Sequence, residues 1–137
     1  MLNALPAEDA LIYIMVVASA ADASMPDAEL AMIGDLIRTL PVFADYNPAN
    51  LIEACRTCAA ILQDEDGLET VIGLAAGVLG PNLRETAYAL ACDVVASDGR
   101  LSPEELGLLR RVRLGLGIDP MIAAALERGA HARYQRL

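Results

Sequence analysis

Two acidic pairs stand at the same spacing in this chain: Asp22 with Glu29, and Asp98 with Glu105. Carboxylates offer the hard oxygen donors that Ca²⁺ and Mg²⁺ take. Each Asp falls where a helical pattern ends, at the negative end of the helix dipole. An anion there is disfavoured by roughly 0.3–1 kcal/mol, and the last-turn carbonyls lack partners. A bound cation would reverse that preference, and Glu29 and Glu105 return from the first turn of the following helix. The same residues also have an ordinary explanation. Asp is a good turn former, and Glu105 stands three residues after Ser102, the spacing of a capping box. Both readings stay open on the residues alone. An EF-hand is excluded, because its ligands spread over twelve residues with Gly at the sixth position, whereas Gly99 follows Asp98 directly.

Three other groupings bear on chemistry. Cys55-Arg56-Thr57-Cys58 is a C-x-x-C within a helical stretch, a spacing that thiol redox proteins use. Glu53 could serve as an acid before it, but no His follows; Ala59-Ala60-Ile61-Leu62 does. Cysteines three residues apart also share a helix face and behave as small hydrophobes, and core packing is the expectation here. Zinc would need Cys92 and His131 to join the pair, since such sites take about four ligands. The cluster Asp64, Glu65, Asp66 and Glu69 reads as a solvated turn and helix start. A Ser-His-Asp triad would depend on His131, the only histidine, and no Gly-rich phosphate loop is present. The expectation is a protein without an active site of its own.

The elements that position these residues are helices. With no Trp and one Phe, the apolar content is mostly Ala, Leu, Ile and Val, which suits closely packed helices better than a sheet. Periodicity and punctuation predict seven, over about 6–21, 26–40, 48–63, 68–79, 81–97, 103–115 and 119–137, the last fraying from Arg133. Ser102-Pro103-Glu104-Glu105 is the strongest start signal. Gly115 and Gly117 are expected to end the sixth helix, and the small residues Gly73, Ala75, Ala76 and Gly77 to let the fourth approach a neighbour closely. Loops are short, as in packed antiparallel bundles. The fold expected is all-α and a single domain over 1–137, with a core from about 7 to 120 and a helical C-terminal tail over 119–137.

The acidic pairs belong to a repeat. Asp22-Ala23-Ser24-Met25 faces Asp98-Gly99-Arg100-Leu101 at an offset of 76 residues, Glu29-Leu30 faces Glu105-Leu106, and Met32-Ile33 faces Leu108-Leu109. Repeated residue types at a constant offset suggest duplicated structure in two pseudo-symmetric halves.

Charge narrows the partners. The net charge is −9, with 15 acids and three Arg in residues 1–99 against four acids and seven Arg in residues 100–137. The acidic bulk argues against nucleic acid. Arg110, Arg111, Arg113, Arg128, Arg133 and Arg136 lie on the last two helices, where a solvated face is the plain reading and an acidic partner the other. The longest uncharged runs, Ala10–Ala21 and Thr70–Leu83, fall short of the roughly 20 residues that span a bilayer. The expected compartment is the cytoplasm, in keeping with an odd number of cysteines. A protein partner is expected, and association at a membrane surface and a homodimer both stay open.

Around Val94-Val95-Ala96-Ser97-Asp98-Gly99-Arg100-Leu101-Ser102-Pro103-Glu104-Glu105-Leu106 and its echo from Val17 to Leu30, which has Ala23 in place of the Gly, the chain resembles the TerB-like family. The likeness runs from about Ala7 to Pro120. It implies an all-α fold in two pseudo-symmetric halves, a metal site of acidic residues, and a link to tellurite and other stress resistance in bacteria. Carried over residue by residue, it makes Asp22, Glu29, Asp98 and Glu105 the candidate ligands, with Ca²⁺ or Mg²⁺ as the cation and no organic cofactor. The alternatives are a metal-free helical adaptor and a thiol oxidoreductase using Cys55 and Cys58.

Overall fold

A computed structural model describes residues 5–19, 27–97 and 101–137, with side chains in the second stretch from residue 30 onward. It is all-α. Seven helices follow one another: α1 (Ala7–Ser19), α2 (Asp27–Thr39), α3 (Leu51–Leu62), α4 (Gly67–Val78), α5 (Pro81–Ala96), α6 (Pro103–Leu116) and α7 (Pro120–Arg133), with no strand among the described residues.

The core forms around α1. All ten residues from Ala10 to Ser19 are buried, so this helix is apolar around its whole circumference and must be enclosed on every side. It is packed by α3, α4, α5 and α6, with α2 touching it more lightly. The polar exception, Ser19, returns its hydroxyl to the Val16 carbonyl at 2.9 Å. Its principal neighbour α5 is nearly as enclosed, with Ala87, Tyr88 and every residue from Leu90 to Val95 buried. The 76-residue offset carries the bounds of α1 into α5 and those of α2 into α6.

The helix ends follow their chemistry. Asn47 accepts from the Ala49 amide at 3.0 Å, but the cap opens a 3₁₀ turn, Pro48–Asn50, from which α3 continues. Asp119 accepts from the amides of Met121 and Ile122 at the start of α7. Gly117 ends α6 with φ of 67°, the left-handed conformation that favours glycine at this position. Arg84 closes two helix ends at once. Its guanidinium donates to the Leu79 and Ala76 carbonyls of α4 at 2.9 and 2.5 Å and to Leu116 of α6 at 3.5 Å.

Three glycines differ from expectation. Gly115 lies inside α6 and does not end it; it is where Ile72 of α4 presses on the helix backbone. Gly73 and Gly77 face open space, whereas Ala75, from the same group of small residues, is fully buried. The other close approach is Gly67, where a Cβ would run into the backbone of Ile61 and Leu62. Backbone cannot step aside as a side chain can, so Gly67→Ala should destabilise the fold by about 1–3 kcal/mol. Gly73→Ala, in open space in mid-helix, should stabilise it by about 0.5–1 kcal/mol. Urea denaturation of the two variants checks the opposite signs.

Candidate functional site

Of the four expected ligands, Glu105 is the one whose side chain the structure describes. Asp22, Asp98 and the side chain of Glu29 lie outside the described residues. Glu105 is only 5% exposed although it sits in the first turn of α6. The capping box expected there is complete: the Ser102 amide donates to Glu105 Oε1 at 3.0 Å and the Glu105 amide donates to Ser102 Oγ at 3.1 Å. No Arg forms an ion pair with it among the described residues. Those residues hold no group of three His, Cys, Asp or Glu able to bind a metal ion.

α5, α7 and α2 are joined by a short series of side-chain contacts. Asp93 of α5 is nearly buried and pairs with Arg133 of α7. The next residue, Tyr134, points its hydroxyl at Met32 Sδ of α2 at 3.8 Å. Lower on the same wall, the Tyr88 hydroxyl donates to Glu127 Oε2 at 2.5 Å. Sequence reasoning missed Asp93 and Glu127. An acid alone in the apolar run Ala87–Val95 was the available signal, since such an acid needs a partner from another element.

The cysteines are unpaired thiols. Cys58 is fully buried on the α1-facing side of α3, and its thiol points at the Tyr13 carbonyl at 3.7 Å. Burial, with Cys55 beside it, pushes the Cys58 thiol up to about 12. Cys55 is half-buried and also raised by burial. Neither carries the thiolate that nucleophilic chemistry needs. Glu53, the acid that a redox reading would use, is exposed. Asp64, Glu65 and Asp66 form an exposed turn, and Glu69 pairs with Arg111 across to α6.

Two depressions mark the surface. One, of about 410 Å³, is lined by Glu8, Asp9, Asp45, Glu53 and Tyr46 near the start of α1. Asp9 is raised by desolvation and by neighbouring Glu8. The Tyr46 hydroxyl is sealed from solvent; Asp9 acts on it electrostatically, but the geometry falls short of a hydrogen bond. The other is a groove of about 860 Å³ between α5, α6 and α7.

The described residues form a helical domain built around two enclosed helices and hold no catalytic constellation. The family described as tellurite resistance protein TerB matches residues 8–128, and the chain belongs to it. No curated protein and no solved structure matches the chain. None of the described residues forms a helix long and apolar enough to cross a membrane.

The buried acids give the fold an alkaline limit. Cys58 and Cys92 are displaced from an ordinary value of 9.0 to about 12, and Tyr46 from 10.0 to about 12, in each case chiefly by desolvation. The unfolded chain therefore releases these protons first as pH rises. Their contribution to stability is complete below about pH 9 and is lost progressively towards about pH 12. The urea midpoint should fall across that window, and Cys58→Ala with Cys92→Ala should make the fall shallower. An equally steep fall in the double variant would mean that other groups set the limit.

Proposed function

We propose that this chain is a non-enzymatic, divalent-cation-binding member of the TerB family, serving tellurite or related stress resistance, with Asp22, Glu29, Asp98 and Glu105 as ligands and Ca²⁺ or Mg²⁺ as the cation. The observation that carries this reading is the Glu105 carboxylate. It is 5% exposed although it stands in the first turn of α6, and its Oε1 accepts from the Ser102 amide in the capping box. A carboxylate withdrawn from water is costly unless it is paired. The helix dipole and the capping box offset part of that cost, and a cation at its second oxygen would offset the rest.

The contact from Asp93 through Arg133 and Tyr134 to Met32 supports convergence. It ties the last turns of α5 to Met32 of α2, the two helices whose neighbouring segments carry Asp98 and Glu29 in the sequence. Two like-charged loops drawn together would repel when empty and clamp the bundle when occupied. Oxygen ligands from carboxylates and unpaired carbonyls suit a hard cation rather than zinc.

Thermal melting of chelator-stripped protein with Ca²⁺, Mg²⁺, Mn²⁺ and Zn²⁺ tests the reading. Saturation at 100 times the dissociation constant stabilises a fold by about 2.7 kcal/mol, so the melting temperature should rise with Ca²⁺ or Mg²⁺. Asp98→Asn should remove most of that rise while leaving the metal-free protein as stable as before, or more so. No cation-dependent rise in the wild type replaces this reading with that of a metal-free adaptor.

A further inference from the structure

The groove between α5, α6 and α7 runs along two matched helix stripes. Leu106, Leu109, Arg110 and Arg113 of α6 line one wall, and Ala124, Glu127, Arg128 and His131 of α7 line the other. Both sets follow the spacing i, i+3, i+4, i+7, which is one face of a helix over two turns. Each wall therefore extends roughly 10 Å. Leu101 and Leu106 stand half-exposed along the groove, at 51% and 53%.

The charges are arranged as unusually as the apolar residues. In a chain of net charge −9, four arginines line this one groove: Arg110, Arg113, Arg128 and Arg136. The remaining two arginines of residues 101–137 are committed, Arg111 to Glu69 and Arg133 to Asp93. None of the four lining the groove forms an ion pair among the described residues. Glu127, the carboxylate among them, already accepts a hydrogen bond from Tyr88. The sequence reading of these arginines as a solvated face holds for their exposure and misses the apolar groove they surround.

We propose that this groove docks an amphipathic acidic helix from a partner protein, its apolar stripe on the leucines and its carboxylates on the four arginines. The cations are spread along both walls. A single anionic headgroup would need them gathered at one end, whereas a helix with acids on either side of an apolar stripe meets them in sequence. An amphipathic helix laid into such a groove is a recurring mode of recognition, and Arg is the residue best suited to hold a carboxylate through two parallel hydrogen bonds. The site shares no ligand with the proposed cation site and does not rest on it.

The probe is a synthetic helical peptide of about four turns, with Leu at i, i+3, i+4 and i+7 and Glu on both flanks, labelled for fluorescence anisotropy. Saturable 1:1 binding that weakens with added salt is expected. The double variant Arg110→Ser/Arg128→Ser should weaken it about tenfold or more, and Leu106→Asp should do likewise. Arg56→Ser, on the exposed face of α3, should leave it unchanged. Circular dichroism melts confirm that the surface variants fold. Absence of binding overturns the proposal, as does equal binding by the double variant or by the peptide with Lys in place of Glu. Binding to phosphatidylglycerol vesicles without binding to the peptide would make the groove a membrane face. Concentration-dependent dimerisation abolished by Leu106→Asp, again without peptide binding, would make it a self-contact. Either result overturns the proposal.

Discussion

The enclosure of α1 is the constraint on which the rest of the fold depends. A helix with ten consecutive buried residues has no face to give to solvent, so the other helices must surround it. Burying each of its Leu, Ile, Met and Val side chains contributes about 1.5–3 kcal/mol, a gain that is realised only when α3, α4, α5 and α6 are all in place. Cooperative folding follows from that geometry, because no subset of the helices closes the shell.

Enclosing α1 also fixes where polar chemistry can occur. Inside the shell, Ser19 is bonded within its own helix, and the Cys58 thiol points at the Tyr13 carbonyl of α1 and is kept neutral by burial. Of the two nearly buried acids, Asp93 is paired between elements with Arg133, and Glu105 caps the start of its own helix. Reactive groups are therefore confined to the ends of the enclosed helices and to the outer seams. The acidic turns follow α1 and α5 at their ends, and the arginine-lined groove is an outer seam where α7 closes over α5 beside α6.

The helices were legible in the sequence because their boundaries are local. Ser102, Asp119 and Gly117 act within a few residues of themselves, and each does in the structure what its type implies. The glycines inside or beside helices were not legible in the same way. Gly67 and Gly115 matter because of Leu62 and Ile72, while Gly73 and Gly77 meet nothing; a close approach is a tertiary fact that spacing along the chain does not encode. The partners of Asp93 and Glu127 lie forty and thirty-nine residues away, and the groove exists only once α5, α6 and α7 are assembled. Of the acidic set, the capping role of Glu105 was readable from Ser102 three residues earlier. Whether four carboxylates from two loops meet is decided by the packing of α1 against α5, which no local pattern specifies.

Paramagnetic broadening by Mn²⁺ in the ¹H–¹⁵N spectrum of the chelator-stripped protein tests the central claim, that the two acidic loops form one cation site. Amide signals from residues 20–29 and from 98–105 should disappear together at substoichiometric Mn²⁺ and return on addition of excess Ca²⁺ or Mg²⁺. Broadening confined to one loop, or centred on Asp64–Asp66 or on the Glu8, Asp9 and Asp45 depression, would contradict it.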